Sequence, residues 1–183
     1  MPLLSHIHIV GGSGSGTTTL GAALAERLDA TAVDTDDFYW LPTDPPYTEP
    51  RPVADRIALL GERLDGLSRW VLSGSLLKWG DIFVSRFDLA VFLYVPPEIR
   101  MARILERERR RYGADIEPGG RMHTQHQAFI DWARAYDRPD FTGRSLHLHR
   151  AWLSGLPCPV RKLDGAQPTA RSVEAVLAFG ETV

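Results

Sequence analysis

Apolar stretches of two periods, two and 3.6 residues, alternate along the chain. His6-Ile-His-Ile-Val10 is short, β-branched and apolar, and predicts a strand that runs straight into a glycine-rich loop. Thr19 to Asp29 follows with leucines and alanines at helical spacing, so the loop opens a helix. Ala30 to Asp34 reads as a second short strand ending in acids, and Leu41 to Pro52, with five prolines, reads as an irregular excursion. Pro52 to Leu67 has leucine and isoleucine at i, i+3 and i+4 and predicts an amphipathic helix. Trp70 to Ser73 is a third strand; Leu89 to Val95 is a fourth, and its unbroken apolar run fits a strand buried on both faces of a parallel sheet. Pro96 and Pro97 begin a long basic helix to about Tyr112, with proline suited to the first turn. Gly113 to Gly120 is turn-rich, and further helices are expected over His123 to Tyr136 and Ser145 to Leu153. Pro159 to Leu163 is a fifth strand and Pro168 to Phe179 a last helix. Strands alternating with helices predict an α/β fold with a five-stranded parallel sheet and right-handed crossovers.

Composition narrows this picture. A chain of 183 residues that is 44% hydrophobic supports one domain with a real core. The net charge of −2 argues against nucleic acid or an anionic membrane as partner, and no apolar run approaches the roughly 18–20 residues that span a bilayer. The single cysteine, Cys158, excludes a disulfide framework, and with no export signal at the N-terminus a cytoplasmic location is expected.

Gly11-Gly-Ser-Gly-Ser-Gly-Thr-Thr18 is the chemically richest segment. It fits G-x-x-x-x-G-K-[ST] through Gly11 and Gly16, with Thr18 at the hydroxyl position and Thr17 where the lysine belongs. Only two of the 21 basic residues are lysines, Lys78 and Lys162, so arginine in that place would be compositional bias; threonine is not. Backbone N–H groups of such a loop cradle phosphate oxygens, which marks Gly11, Gly12, Ser13, Gly14, Ser15, Gly16, Thr17 and Thr18 as nucleotide-binding candidates. Two alternatives stand beside this: a flexible turn that binds nothing, and a dinucleotide loop G-x-G-x-x-G. For the latter Gly12 and Gly14 begin the pattern, but its third glycine is Thr17; Asp34 sits about 20 residues on, as that motif requires.

Asp34-Thr-Asp36-Asp37 follows directly on the second strand, at the carboxyl edge of the expected sheet. One carboxylate there suits Mg²⁺, with Thr18, Asp34 and Asp36 as candidate ligands, and another suits proton abstraction from a hydroxyl, with Asp36 as candidate. A solvated acidic turn or helix cap is the plainer alternative. Arg100, Arg103, Arg107, Arg110 and Arg111 step by three and four along one helix face. Pairing with Glu106 and Glu108 accounts for most of that face. Six histidines, among them His123 with His126 and His147 with His149, lack the cysteines or the H-E-x-x-H pattern of a zinc site. Trp40, Tyr47 and Trp79 flank the acidic segment and suit either stacking on a planar ring or core packing.

Loop, acids and arginine-rich helix together resemble the adenylate-kinase-like, small-molecule kinase branch of the P-loop NTPases. Asp34-x-Asp36 resembles the acid pair of shikimate-kinase-like enzymes, and Asp36-Asp-Phe-Tyr39 the Asp-x-Phe-Tyr stretch of uridine kinases, whose aspartate acts as base. The resemblance implies a three-layer fold over 1–183, an acceptor-side segment over 35–67 and a helical lid-like region over 112–145. It implies ATP with Mg²⁺, transfer to a small-molecule acceptor, and a monomer or homodimer. It makes Arg107 and Arg111 transition-state cations, with Arg121, Arg138 and Arg144 as further candidates, and Leu163-Asp-Gly165 the start of the adenine loop. Because the third strand borders the first in such kinases, Lys78 is expected to reach back to the phosphates. The chain departs from the pattern at Thr17, and at Ser73-Gly74-Ser75, where many relatives carry an acid. A nucleotide-binding module without transfer activity is therefore the rival expectation.

Overall fold

The computed structural model describes residues 4–180. Five parallel strands, β1 (His6–Gly11), β2 (Thr31–Asp34), β3 (Trp70–Ser73), β4 (Leu89–Tyr94) and β5 (Val160–Asp164), lie in the order β2-β3-β1-β4-β5. The period-two arrangement of the central strands divides their side chains between two layers. Ile7, Ile9, Leu89, Val91 and Leu93 pack on one face against Leu20 and Leu24 of α1 (Thr17–Leu28) and Val173 and Val176 of α7 (Thr169–Gly180). Val10, Ala90 and Phe92 face the other way, toward Leu153 of α6 (Leu146–Ser154). On that side Leu72 and Trp70 meet Leu60 and Leu64 of α3 (Val53–Asp65), two residues one helical turn apart. Burying a leucine of this kind contributes roughly 1.5–3 kcal/mol, so the two apolar layers, not strand propensity, hold the sheet.

The short helix α2 (Asp36–Tyr39) and a 3-10 turn over Asp81–Arg86 are additions to the expected elements. Neither is long enough to show a period in sequence. Beyond β4, α4 (Pro97–Tyr112) starts on its proline and α5 (His123–Ala135) packs back on it through Ile104, Ile130 and Ala133. These two helices and the turns between them form a small satellite cluster beside the phosphate loop. Among the described residues no helix is long and apolar enough to cross a membrane.

The sheet order also bears on the glycine loop. β1 is central, with β3 on one side and β4 on the other, so the chain changes direction at its carboxyl end. That is the crevice where open α/β sheets bind ligands. A dinucleotide fold places the acid-bearing second strand next to the first. Here β3 lies between them, and Asp34 pairs with Ser73.

Candidate active site

The loop is shaped by its glycines and by what crowds them. Gly14 has φ +80°, and a Cβ there would stand 2.6 Å from the Arg100 carbonyl oxygen. Gly12 lies against the Tyr136 ring, which a Cβ would approach to 2.9 Å. Ser15 is buried and folds the loop onto itself, its backbone N–H donating to the Gly12 carbonyl at 3.0 Å and its hydroxyl at 2.6 Å. The helix-opening residues Thr17 and Thr18 follow, so the loop runs straight into the N-terminus of α1, an end suited to anions.

Thr18 and Asp34 meet across that crevice. The Thr18 hydroxyl donates to Asp34 Oδ2 at 2.7 Å, and the other carboxylate oxygen of Asp34 accepts from the Asp36 backbone N–H at 3.0 Å. This local turn explains why the acids leave β2 in a fixed geometry: Asp34 is spent on orienting its neighbours and Asp36 heads α2. Thr35 N–H also donates to the Ser73 carbonyl at 2.9 Å, anchoring the turn to β3. A hydroxyl beside a carboxylate is the hard-oxygen pair that suits Mg²⁺, which keeps most of its shell for water and phosphate. Among the described residues no group of three or more His, Cys, Asp or Glu stands together to hold a metal alone.

Asp36 keeps a solvent-facing side in the open cleft, yet its carboxyl stands above the ordinary aspartate range. Displaced water is the largest cause, followed by the like charge of Asp34; Arg144 is the strongest influence in the other direction, ahead of Arg107. Asp37 is raised in the same way, by desolvation and then by Asp34.

The cations do not all stand where the kinase resemblance implies. Lys78, exposed and with φ 69°, gives its ammonium to the Thr142 carbonyl at 3.3 Å rather than to the loop. Its backbone turns the side chain toward the segment before α6. Arg111 is exposed at the end of α4 beside Tyr112, whose hydroxyl it holds by a hydrogen bond. Arg107 is held by Glu108 Oε1 through Nε at 3.0 Å and Nη2 at 2.9 Å, while still lying near enough to Asp36 to draw its carboxyl down. Three other arginines touch the loop. Arg100, buried, donates to the Ser13 carbonyl at 2.9 Å and is paired with Asp137. Arg103 donates to the carbonyls of Gly165, at 3.0 Å, and Ser15, at 3.5 Å. Arg144 donates from Nη2 to the Ser13 hydroxyl at 2.8 Å, with its guanidinium 4.8 Å from the Trp132 ring centroid. Burial works against the Arg144 charge, and Asp36 is the first group to favour it; an arginine stays cationic nonetheless. Its sequence signal is faint: one arginine before the Ser145 cap of α6, 131 positions from Ser13.

Two cavities flank the loop. One, of about 180 Å³, lies between α1 and the turn after β5 and is lined by Ser15, Leu93, Arg103, Gly165, Gln167 and Ser172. The expected adenine-loop residue Gly165 is thus beside the phosphate loop. A Cβ on it would stand 2.6 Å from Val95 Cγ2. The other cavity opens on the acidic side, around Asp36, Asp37, Trp40 and Tyr47. His123 donates from Nδ1 to the Ile116 carbonyl at 2.9 Å, and His126 is buried beside Glu108; neither histidine lines either cavity.

A phosphate loop on the first strand of a 2-3-1-4-5 parallel sheet, with acids on the second, is a P-loop fold, and small-molecule kinases of known structure share it. The AAA domain family model matches residues 7–122, and the chain belongs to that family. Over 174 residues it is 42% identical to the Bacillus subtilis (strain 168) uncharacterized protein YqaC, covering 95% of this chain and 96% of that protein. It is 31% identical over 113 residues to the cytidylate kinase of Archaeoglobus fulgidus, covering 56% of this chain and 61% of that enzyme. Among solved structures, the shikimate kinase of Bacteroides thetaiotaomicron has a TM-score of 0.59 at 17% identity, covering 97% of this chain and 99% of that one. A gluconokinase of Sinorhizobium meliloti 1021 has a TM-score of 0.56 at 20% identity, covering 100% of this chain and 94% of that one. At such identities the likeness is one of fold.

Proposed function

We propose that the protein transfers the γ-phosphoryl group of ATP to a hydroxyl of a small-molecule acceptor. The cavity at Gly165 takes the base, and the loop backbone from Gly11 to Thr18 takes the phosphates. Asp36 orients the acceptor hydroxyl and receives its proton. Mg²⁺, held by Thr18 and Asp34 together with the nucleotide, would offset phosphate charge and keep the transferring group oriented. The observation that carries this reading is Arg144. It lies on the Ser13 hydroxyl and is the strongest counter-charge to Asp36, so one guanidinium spans the donor loop and the acceptor base.

This placement addresses the missing lysine. Phosphoryl transfer depends mostly on positioning and on charge that matches the equatorial oxygens. A guanidinium supplies that charge from a different part of the chain than an ammonium at position 17. Lys78 then acts at one remove, holding Thr142 two residues before Arg144. Arg107 adds a second cation on the Asp36 side, whereas Arg111 remains a surface group.

Transfer from γ-labelled ATP with Mg²⁺, across nucleosides, nucleotides and small polyols, is the direct test. A labelled acceptor whose formation collapses in Asp36→Asn supports the proposal. Tight ATP binding with no labelled acceptor from any class contradicts it and leaves a nucleotide-binding module.

A further inference from the structure

The acidic-side cavity has a volume of about 300 Å³ and is lined by Asp36, Asp37, Trp40, Pro42, Tyr47 and Arg51 among others. That is the lower end of the roughly 300–1,000 Å³ range of small-molecule pockets, and fits a ring system with one polyol arm. Two features of the wall are unusual. The first is its aromatic rim. Tyr47 is 46% exposed and has φ 61°, a left-handed conformation uncommon for a bulky residue. The chain holds an aromatic ring out at the cavity mouth instead of burying it. Trp40 stands beside it, edge to face, with centroids 6.0 Å apart. Their faces stand at 76° to each other at the mouth, and a planar ring can stack on either one.

The second is charge. Two carboxylates line the cavity, Arg107 on the Asp36 side is held by Glu108, and the other cations around it are turned to further partners. Arg51 donates from Nε to the Phe38 carbonyl at 3.1 Å and from Nη2 to the Trp40 carbonyl at 3.3 Å. Arg56 sits behind the wall, its guanidinium 3.7 Å from the Tyr39 ring centroid and its Nε 2.6 Å from the Arg51 carbonyl. Arg121 bridges Asp44 at 2.9 Å and Asp115 at 3.0 Å. Arg103 belongs to the loop, and Arg144 acts on Asp36 from the loop side, where it donates to the Ser13 hydroxyl, without lining the cavity. A phosphomonoester or carboxylate entering here meets like charge first, with the nearest guanidinium committed to backbone.

We infer that the acceptor is an uncharged, hydroxyl-bearing compound with a planar ring, of the nucleoside class, and that phosphomonoesters and carboxylates are rejected. This rests on the kinase reading above. In the reaction the acceptor oxygen bonds to the γ-phosphorus as the bond to the β–γ bridging oxygen breaks. The hydroxyl proton passes to Asp36, and ADP leaves with the electron pair. This acceptor differs from those in the names of the relatives above, since shikimate, gluconate and cytidylate are all anions at neutral pH.

Equilibrium binding to the full chain with ADP and Mg²⁺ separates this inference from the question of turnover. Nucleosides are compared with their own 5′-monophosphates and with shikimate and gluconate. The expected result is at least one nucleoside bound tenfold or more tightly than its monophosphate and than either carboxylate. Asp37→Asn should narrow that gap, and Trp40→Ala should weaken the nucleoside tenfold while ADP binding stays unmoved. Equal or tighter binding of a monophosphate or carboxylate overturns the inference, as does a failure of every nucleoside to bind at millimolar concentration. If nucleosides bind selectively and none is phosphorylated, the acceptor assignment stands and the kinase reading falls.

Discussion

At the tip of the phosphate loop a threonine hydroxyl occupies the place of an ammonium, and the nearest side-chain cation on the Ser13 hydroxyl comes from Arg144. If that guanidinium stabilises charge on the transferring group, its loss appears in kcat more than in the KM for ATP. Arg144→Ala is expected to lower kcat by about 100-fold or more, the scale of deleting one preorganised donor. Arg144→Lys should recover part of this, since charge returns without the planar fork. Lys78→Ala should cost less than about tenfold in the same steady-state assay, because a hydrogen bond to an exposed carbonyl is all it removes. Asp36 carries its own signature. Its raised pKa places the acid limb of kcat/KM above the ordinary aspartate value of 3.8, with activity falling as pH drops through it. The same raised carboxyl works against folding at neutral pH, since the folded state binds the proton more tightly than the unfolded one. Asp36→Asn should therefore raise the melting temperature at pH 7 while abolishing transfer, and the stabilisation should fade as the pH is lowered below the Asp36 pKa.

Among elements, α6 does most to place the site. Ser145 caps it, its hydroxyl accepting from the Leu148 N–H at 3.3 Å, and Arg144 is the residue just outside. One turn further in, His149 joins three elements: its Nδ1 meets the Tyr136 hydroxyl at 2.8 Å and its Nε2 the Ser75 hydroxyl at 3.0 Å. Tyr136 in turn presses on Gly12, so this chain of contacts ties the end of β3 to the phosphate loop. His149→Phe leaves two buried hydroxyls without their partner, and an unfolding free energy lower by on the order of 2 kcal/mol or more is expected in urea titration. The helix from Ser145 and Arg144 as a candidate cation were legible in the sequence; the contacts of His149 were not. His149 reads as one of six histidines, and nothing in spacing links positions 12, 75, 136 and 149. The strands were legible because β3 and β4 are apolar runs and β1 carries Ile7, Ile9 and Val10 straight into the glycine loop, and α1 and α3 because their leucines keep helical spacing. α2 was not, because four residues carry no period and its start depends on the Asp34 carboxylate receiving the Asp36 N–H. The arginine face of α4 was legible as a pattern but not as a set of partners. Glu108 holds Arg107, Asp137 holds Arg100, and only the packing of α5 and α6 decides which cation reaches the loop.

For the molecule as a whole, two buried histidines set its response to acid. His8 lies in the central strand, stacked on Phe87 with centroids 4.9 Å apart, and burial lowers its pKa to about 4. Burial, and then Arg144 and His8, push His149 down to about 3. Both are neutral when folded but take up protons near 6.5 when unfolded, so stability is complete above pH 6.5 and is lost as the pH falls toward 4. The slope for each is roughly 1 kcal/mol per pH unit. Asp36 and Asp37 act oppositely at the acid end, since protonating their raised carboxyls favours the folded state. Urea midpoints measured from pH 7 down to pH 4.5 should therefore decline, and more shallowly in a variant lacking His149. At this scale the loop, the acids and the order of elements were enough to predict the fold. In the proposed reaction the charge missing at Thr17 comes from Arg144, in the segment before α6. The rate of labelled phosphoryl transfer to a nucleoside in a single turnover, with ATP saturating and the wild-type chain compared with Arg144→Ala, tests this most directly. Transfer by the wild type, slowed at least about 100-fold in the variant while ATP still binds, is the predicted result. Equal rates in the two proteins, or ATP binding by the wild type with no transfer to any acceptor, would contradict it.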